Sequence, residues 1–171
     1  MNVQLSAKML SRLIFFGMLA VGLTLGVAGL SLLCQKKFQQ AQNDLVAEAT
    51  ALSQAMNTEN VRKLSFSPDD IRVPEYRRLC TQLKAYIPLT RFCAVYCVSR
   101  AEGAFVLGPT SCEGKSPMAV SPGTPYLRPP HELELAFQSR LIQHAGPFTD
   151  ERGTFIGVMC PVLDQQSNDV L

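Results

Sequence analysis

The feature that most constrains this chain is an uncharged, apolar stretch that covers residues 13–33. A transmembrane helix needs about 20 such residues, whereas the apolar region of a cleaved signal peptide has roughly 7–15. The length therefore favours a single transmembrane helix that stays in the protein. A cleaved signal peptide is the alternative, because Val27, Ala28 and Gly29 form a small-x-small triplet typical of a cleavage site.

The charges on either side of the stretch bear on its orientation. Lys8 and Arg12 precede it, and Lys36 and Lys37 follow it, so the positive-inside count is tied. The α-amino group adds a positive charge on the N-terminal side, so we expect residues 1–12 to form a cytoplasmic tail. The expected location is the bacterial inner (cell) membrane, with the lipid bilayer as a partner and the folded domain in the periplasm or outside the cell.

Small residues inside the stretch bear on self-association. Gly22 and Gly26 form a small-xxx-small pair, and Gly29 follows one turn later. This pattern lets two membrane helices approach closely, and it favours a homodimer through the membrane and juxtamembrane helices. The alternative is that these glycines have no partner, because glycine is common in membrane helices.

The charge balance argues against a nucleic-acid partner. The chain has 16 Lys and Arg residues and 14 Asp and Glu residues, which gives a net charge of +2. Lys8 and Arg12 account for this excess, so the rest of the chain is neutral. Nucleic-acid-binding proteins carry a clustered basic excess instead, and we expect no nucleic-acid partner.

Beyond the apolar stretch the sequence pattern is first helical and then extended. Apolar residues recur at helical spacing from Leu45 to Met56, in a stripe expected to pack on the domain itself rather than in a free coiled coil. Pro68 ends this region. We predict, in order, a long juxtamembrane helix over 34–66, a helix over 75–86, a hairpin of strands 91–98 and 104–107, a proline-rich loop over 108–130, a helix over 131–140 and a strand over 153–163.

The chain stops at Leu171, soon after the last predicted strand. A strand pair without most of its second member would leave an open sheet edge. We therefore expect the domain over 67–171 to be truncated before its last strand.

Few residues are arranged for catalysis or metal binding. The sequence contains no nucleophile-elbow motif and no Cys-x-x-Cys pair. His144, which precedes Ala145-Gly146-Pro147, is interpreted as a turn residue rather than a catalyst. We therefore expect no enzymatic activity, no metal and no cofactor.

Six cysteines leave several pairings open. Cys93 and Cys97 lie roughly 13 Å apart along one predicted strand, which is too far for them to bond each other. Each could bridge to Cys80 or Cys160, or remain a buried thiol. A cysteine outside the membrane that has no partner within this chain could also crosslink another chain.

The segment 144–164 reads HAGPFTDERGTFIGVMCPVLD. It resembles the GPYTDxWGxW…PIxD stretch of the extracytoplasmic PAS-like (Cache-type) sensor regions of bacterial membrane-bound histidine kinases and diguanylate cyclases. The segment 121–126, SPGTPY, is similar to the PGxxY loop of the same regions. Arg152 stands where the family has tryptophan, which would alter the wall of a ligand pocket.

The resemblance implies an α+β domain in which a long N-terminal helix lies behind an antiparallel sheet. It also implies a small-molecule pocket under the loop and helix on the opposite face. We expect five residues to line this pocket, because they supply the few oriented polar groups that a mostly apolar pocket needs. These residues are Arg91, Tyr126, Thr149, Asp150 and Arg152.

The predicted function is thus a membrane-anchored extracytoplasmic sensor domain that binds a small-molecule ligand for signal transduction, as in two-component systems. The alternative function is a membrane-anchored structural or interaction module that its cysteines stabilise or crosslink.

Overall fold

A computed structural model describes residues 7–101, 103–164 and 169–171. The chain divides into two compact units, Met1–Gln42 and Asn43–Leu171. A long apolar helix is followed by shorter helices and antiparallel strands, so the predicted α+β class is confirmed.

Helix α1 covers Ala7–Ala55 and includes the apolar stretch. Within its part Phe15–Ala55, a window of 18 residues has a mean hydropathy of 2.0, so this helix is long and apolar enough to cross a membrane. Large apolar side chains in this part, such as Phe16, Leu23 and Leu30, are exposed. In a membrane, these exposed apolar side chains would contact the lipid tails. The orientation of the helix stays a prediction.

Helix α1 ends earlier than the sequence pattern predicts. The expected helix over 34–66 stops at Ala55, and a separate short helix α2 covers Thr58–Arg62. Asn57 has an extended backbone, and its side chain accepts a hydrogen bond from the Asn60 N–H at 3.3 Å. The Asn57 side chain thus caps a new helix. The break between α1 and α2 was not predicted, because residues 34–66 contain neither Gly nor Pro.

Helix α3 covers Pro74–Tyr86, so the predicted helix over 75–86 is confirmed. It follows a 3-10 helix, Pro68–Arg72, and precedes another, Ile87–Leu89. Leu79 and Leu83 of α3 are fully buried against Leu52 of α1 and Met56, the residue that follows α1. The apolar stripe of α1 therefore packs on the domain, as predicted, and forms one side of its core.

The first sheet has three antiparallel strands in the order β1-β2-β3. The predicted hairpin is confirmed, but β1, Tyr96–Ala101, is shifted toward the C-terminus, and β2, Ala104–Thr110, begins as predicted and extends three residues further. Strand β3, Thr124–Pro125, pairs with β2 inside the region predicted as a loop. This pairing was not foreseen because prolines surround it.

Helix α4 covers His131–Ser139, in agreement with the predicted helix. A second sheet follows, in which β4, Gln143–Thr149, pairs antiparallel with β5, Thr154–Met159. The interpretation of His144 as a turn residue is wrong, because His144 lies in β4 opposite Val158. Gly146 adopts a positive φ of 124° where the strand register shifts, so the Gly-Pro pair makes an irregularity within the strand rather than a turn.

Candidate ligand-binding cavity

A cavity of about 330 Å³ lies within the unit Asn43–Leu171. This volume falls at the lower end of the range of small-molecule pockets, about 300–1,000 Å³. Most of its wall is apolar. The wall includes Leu45, Ala49 and Leu52 of α1, Met56 directly after α1, Tyr96, Cys97 and Val98 of β1, Leu133, Ala136 and Phe137 of α4, and Phe155, Ile156, Gly157, Val158 and Met159 of β5.

A hydrogen-bonded pair, Tyr126 and Asp150, forms a polar corner of the cavity wall. Asp150 follows β4 and is 8% exposed. Its Oδ1 accepts hydrogen bonds from the backbone N–H groups of Arg152 at 2.7 Å and Gly153 at 3.2 Å, and its Oδ2 accepts one from the Tyr126 hydroxyl at 3.1 Å. The carboxylate therefore closes the β4–β5 turn and holds the Tyr126 side chain in place.

The Arg152 side chain lies beside this corner with only 11% of its surface exposed. Its guanidinium carbon is 5.8 Å from the ring centroids of both Tyr96 and Tyr126, a distance typical of cation–π contacts. Its Nη1 lies 3.1 Å from Glu151 Oε1 and 3.7 Å from Asp150 Oδ2. The cation is thus neutralised by two carboxylates, and Arg152 supports the polar corner without lining the cavity itself.

The two other predicted pocket residues lie apart from this cluster. The Arg91 backbone N–H donates to Glu48 Oε2 at 2.9 Å, and its guanidinium pairs with Asp44 at 3.0 Å. Although Arg91 belongs to the cavity wall, its side chain is 64% exposed, so it is a surface residue of the rim. Thr149 is exposed and shares a hydrogen bond with Thr154 across the β4–β5 hairpin, outside the cavity wall.

Tyr96 belongs to the cluster and was not predicted. It lies in β1, and its hydroxyl donates to the Met118 carbonyl at 2.7 Å. In the sequence, Tyr96 is an aromatic residue in a predicted strand. Aromatic residues are common in half-buried strands, so this position did not mark a site. Only the approach of Arg152, far away in the sequence, distinguishes Tyr96 from other strand aromatics.

Both tyrosines of the cluster hold their protons more tightly than usual. Burial, and to a smaller extent the nearby Cys112 thiol, raises the pKa of Tyr96 to about 12. Burial and the Asp150 carboxylate also raise the pKa of Tyr126 above its ordinary value. Both phenols are therefore uncharged at neutral pH, which is the form in which Tyr126 donates to Asp150.

We expect the stability of the folded domain to fall as the pH rises from 10 to 12. A tyrosine whose pKa is higher in the folded state contributes stability that is fully present below its unfolded pKa of 10, and that is lost as the pH rises through the folded pKa. The loss due to Tyr96 should be about 1–2 kcal/mol after solvent screening. Denaturant unfolding at several pH values measures it.

Tyr96→Phe is the matched control for this pH dependence, because it keeps the ring beside Arg152 and removes the ionisable hydroxyl. The variant should lose less stability between pH 10 and 12 than the natural chain. Equal losses in the two proteins would contradict the contribution of Tyr96.

All six cysteines lie in described residues and are free thiols. Cys160 Sγ donates to Ser53 Oγ at 3.1 Å, and Cys112 Sγ lies 3.9 Å from the Cys93 carbonyl oxygen. The intramolecular bridges considered from the sequence are therefore not formed, and crosslinking to another chain stays a prediction.

Within the described residues, no group of three or more His, Cys, Asp or Glu side chains is placed to hold a metal ion. The cavity wall offers an apolar surface with a hydrogen-bonding corner formed by Tyr126 and Asp150. No family model, curated protein or solved structure matches this chain, so an assignment of function rests on the geometry of the cavity and on the sequence.

Proposed function

We propose that this protein is a membrane-anchored extracytoplasmic sensor domain of the PAS-like (Cache-type) class, which binds a small-molecule ligand for signal transduction. The observation that carries the proposal is the cavity of about 330 Å³ with Tyr126 and Asp150 in its wall. An apolar cavity that contains a few convergent polar groups is the usual form of a small-molecule site.

The chemistry of the wall indicates the kind of ligand. Burial of an apolar ligand against side chains such as Leu52, Leu133 and Phe155 supplies most of the binding free energy. The Tyr126 hydroxyl, next to the Asp150 carboxylate, orients a single polar group of the ligand. We therefore propose a mostly apolar small molecule with one hydrogen-bonding group.

The membrane location is part of the same proposal. Helix α1 would hold the protein in the bacterial inner membrane as a single span, with the folded domain on the outer side. A homodimer through Gly22 and Gly26 would place two sensor domains side by side. Ligand binding could then bias the arrangement of the two chains, provided that the ligand has different affinities for two arrangements.

A thermal-shift screen of the full chain in detergent micelles, with a library of small metabolites, tests the ligand site. We expect at least one mostly apolar compound to raise Tm, because a ligand at 100 times its Kd stabilises the folded state by about 2.7 kcal/mol. Asp150→Asn and Tyr126→Phe should each weaken binding about tenfold, since each disturbs the hydrogen bond that orients the polar group.

Asp69→Asn is the matched control, because Asp69 is an exposed carboxylate outside the cavity wall. This variant should keep the full ligand-induced shift. The proposal fails if no compound raises Tm, or if the shift survives unchanged in both Asp150→Asn and Tyr126→Phe.

A further inference from the structure

Two cysteines lie near each other at the open end of the β1–β2 hairpin. The Ser111 N–H donates to the Val95 carbonyl at 2.9 Å, and the Val95 N–H donates to Ser111 Oγ at 2.9 Å. These bonds continue the antiparallel pairing of the hairpin one residue beyond the ends of both strands. The next residues along the two segments include Cys93 and Cys112, so the fold brings together two cysteines that are 19 positions apart in the sequence.

The separation of these two cysteines is within reach of a disulfide. Cys112 Sγ lies 3.9 Å from the Cys93 carbonyl oxygen. A carbonyl oxygen lies about 2.4 Å from the Cα of its own residue, so Cys112 Sγ is at most about 6.3 Å from Cys93 Cα. In a disulfide the same distance is about 3–5 Å, and rotation about χ1 moves a sulfur by up to about 3 Å. Rotation of the two side chains can therefore bring the sulfurs into contact.

A second observation places both thiols near one atom. Burial is the main cause of the raised pKa of Tyr96, and Cys112 and Cys93 are both among the smaller causes. A charged group shifts a pKa mainly when it lies within about 4–6 Å. Both thiols therefore lie near the Tyr96 hydroxyl, which donates to the Met118 carbonyl at 2.7 Å.

These two thiols are also better placed to react than the other three in the domain. Cys93 is exposed and Cys112 is half-buried, whereas Cys80 is buried. Burial raises the pKa of Cys97 to about 12 and also raises the pKa of Cys160. Thiol–disulfide exchange needs a thiolate that the oxidant can reach, so Cys93 and Cys112 are the pair in this domain that meets the requirement.

We propose that Cys93 and Cys112 form a modification site, at which a low-molecular-weight disulfide such as oxidised glutathione converts the two thiols into one intramolecular disulfide. The exposed Cys93 thiol loses its proton to solvent, attacks one sulfur of oxidised glutathione and displaces a glutathione thiolate. The Cys112 thiolate, formed in the same way, then attacks the Cys93 sulfur of this mixed disulfide and displaces the second glutathione thiolate. Two protein thiols are oxidised, one glutathione disulfide is reduced, and the two displaced thiolates take up the two protons.

The bridge would fasten the open end of the hairpin. It closes a loop of about 20 residues, which restricts the unfolded chain. It also fixes the start of the segment that leads to Met118, and both Met118 and Cys93 belong to the cavity wall. The structure holds both cysteines as thiols, which is the reduced state of the pair, so reaction rates of the free thiols refer to the reduced chain.

The setting for this oxidation rests on the proposed function, because an extracytoplasmic compartment is oxidising and favours disulfides. The reactivity of the pair belongs to the folded domain itself, and it can be measured on the purified protein.

The full chain in detergent micelles, first reduced and then incubated with excess oxidised glutathione, tests the proposal. Acid stops the exchange, a maleimide blocks the remaining thiols, and the chain is digested with trypsin without reduction. Cleavage after Arg91, Arg100 and Lys115 places Cys93 and Cys112 in the separate peptides 92–100 and 101–115. We expect mass spectrometry to find these peptides joined, with fragmentation locating the bond at Cys93 and Cys112 and with glutathione on neither residue.

Cys112→Ser is the matched control, because it removes the thiol that closes the ring and keeps the thiol that attacks the oxidant. In this variant Cys93 should keep its glutathione, with an occupancy at least about tenfold higher than in the natural chain, since no neighbouring thiol displaces it. Absence of glutathione from Cys93 in Cys112→Ser would contradict its role as the attacking thiol.

Three results with the natural chain would overturn the proposal. The first is glutathione on both Cys93 and Cys112, which would show that the two sulfurs do not meet in the folded domain. The second is a bond from either residue to a different cysteine, in the same chain or in another. The third is that both residues stay free thiols. None of these results depends on the metabolite screen, so failure of this proposal can be distinguished from failure of the proposed ligand site.

Discussion

Replacement of Leu79 by alanine is expected to lower the free energy of unfolding by about 3–4 kcal/mol. Leu79 has no exposed surface and lies in the core with Leu52, Met56, Val61 and Leu83. The substitution removes buried methyl groups and leaves a cavity that the two packed helices can fill only partly. This loss is a large fraction of the 5–15 kcal/mol that typically stabilises a domain.

Denaturant unfolding of the full chain in detergent, followed by circular dichroism, measures the effect of Leu79→Ala. Leu89→Ala is the control, because Leu89 lies just beyond α3 and is 78% exposed. The control should change the free energy of unfolding by less than about 0.5 kcal/mol. Similar losses in the two variants would mean that α3 does not pack on the core through Leu79.

The thiol of Cys97 is expected to react with iodoacetamide at least about a hundredfold more slowly than the thiol of Cys93, because far less of it is thiolate. Burial, and to a smaller extent the neighbouring Cys80 thiol, raises the pKa of Cys97 from 9.0 to about 12. At pH 8 a thiol with a pKa of about 12 is ionised about a thousandfold less often than an ordinary thiol, and only the thiolate is the nucleophile. Cys93 is exposed, whereas Cys97 is partly buried in β1.

Fragmentation mass spectrometry of the peptide that contains both cysteines gives the two rates from the same sample. A denatured sample is the control, and there the two thiols should react at similar rates. Equal rates in the folded protein would show that the cavity beside β1 is open to solvent at Cys97. That result would also weaken the case for an apolar ligand in this cavity.

The helices were predictable because their signals are local. In α3, which begins at Pro74, Leu79 and Leu83 recur at helical spacing. The helical spacing from Leu45 to Met56 likewise predicted the face of α1 that is buried. The end of α1 was mispredicted because the Asn57 cap is a single side-chain hydrogen bond, and asparagine within a helical pattern is not by itself a stop signal.

The candidate site was predictable only in part. The resemblance to the sensor regions brought Tyr126, Asp150 and Arg152 to attention, and these three residues do lie together. It also pointed to Thr149, which lies on the outer side of the hairpin, and to Arg91, which lies on the rim. Neighbouring residues in a strand or turn point in different directions, so sequence position cannot separate Asp150 from Thr149.

The sequence by itself determined a long apolar helix near the N-terminus and an α+β domain that follows it, because hydrophobic length and periodicity act over a few turns of chain. The tertiary structure alone decided that Arg152 lies beside Tyr96 and that residues of β1 and β5 line one cavity. These contacts join residues more than 50 positions apart, and they depend on how strands and helices pack rather than on any local preference.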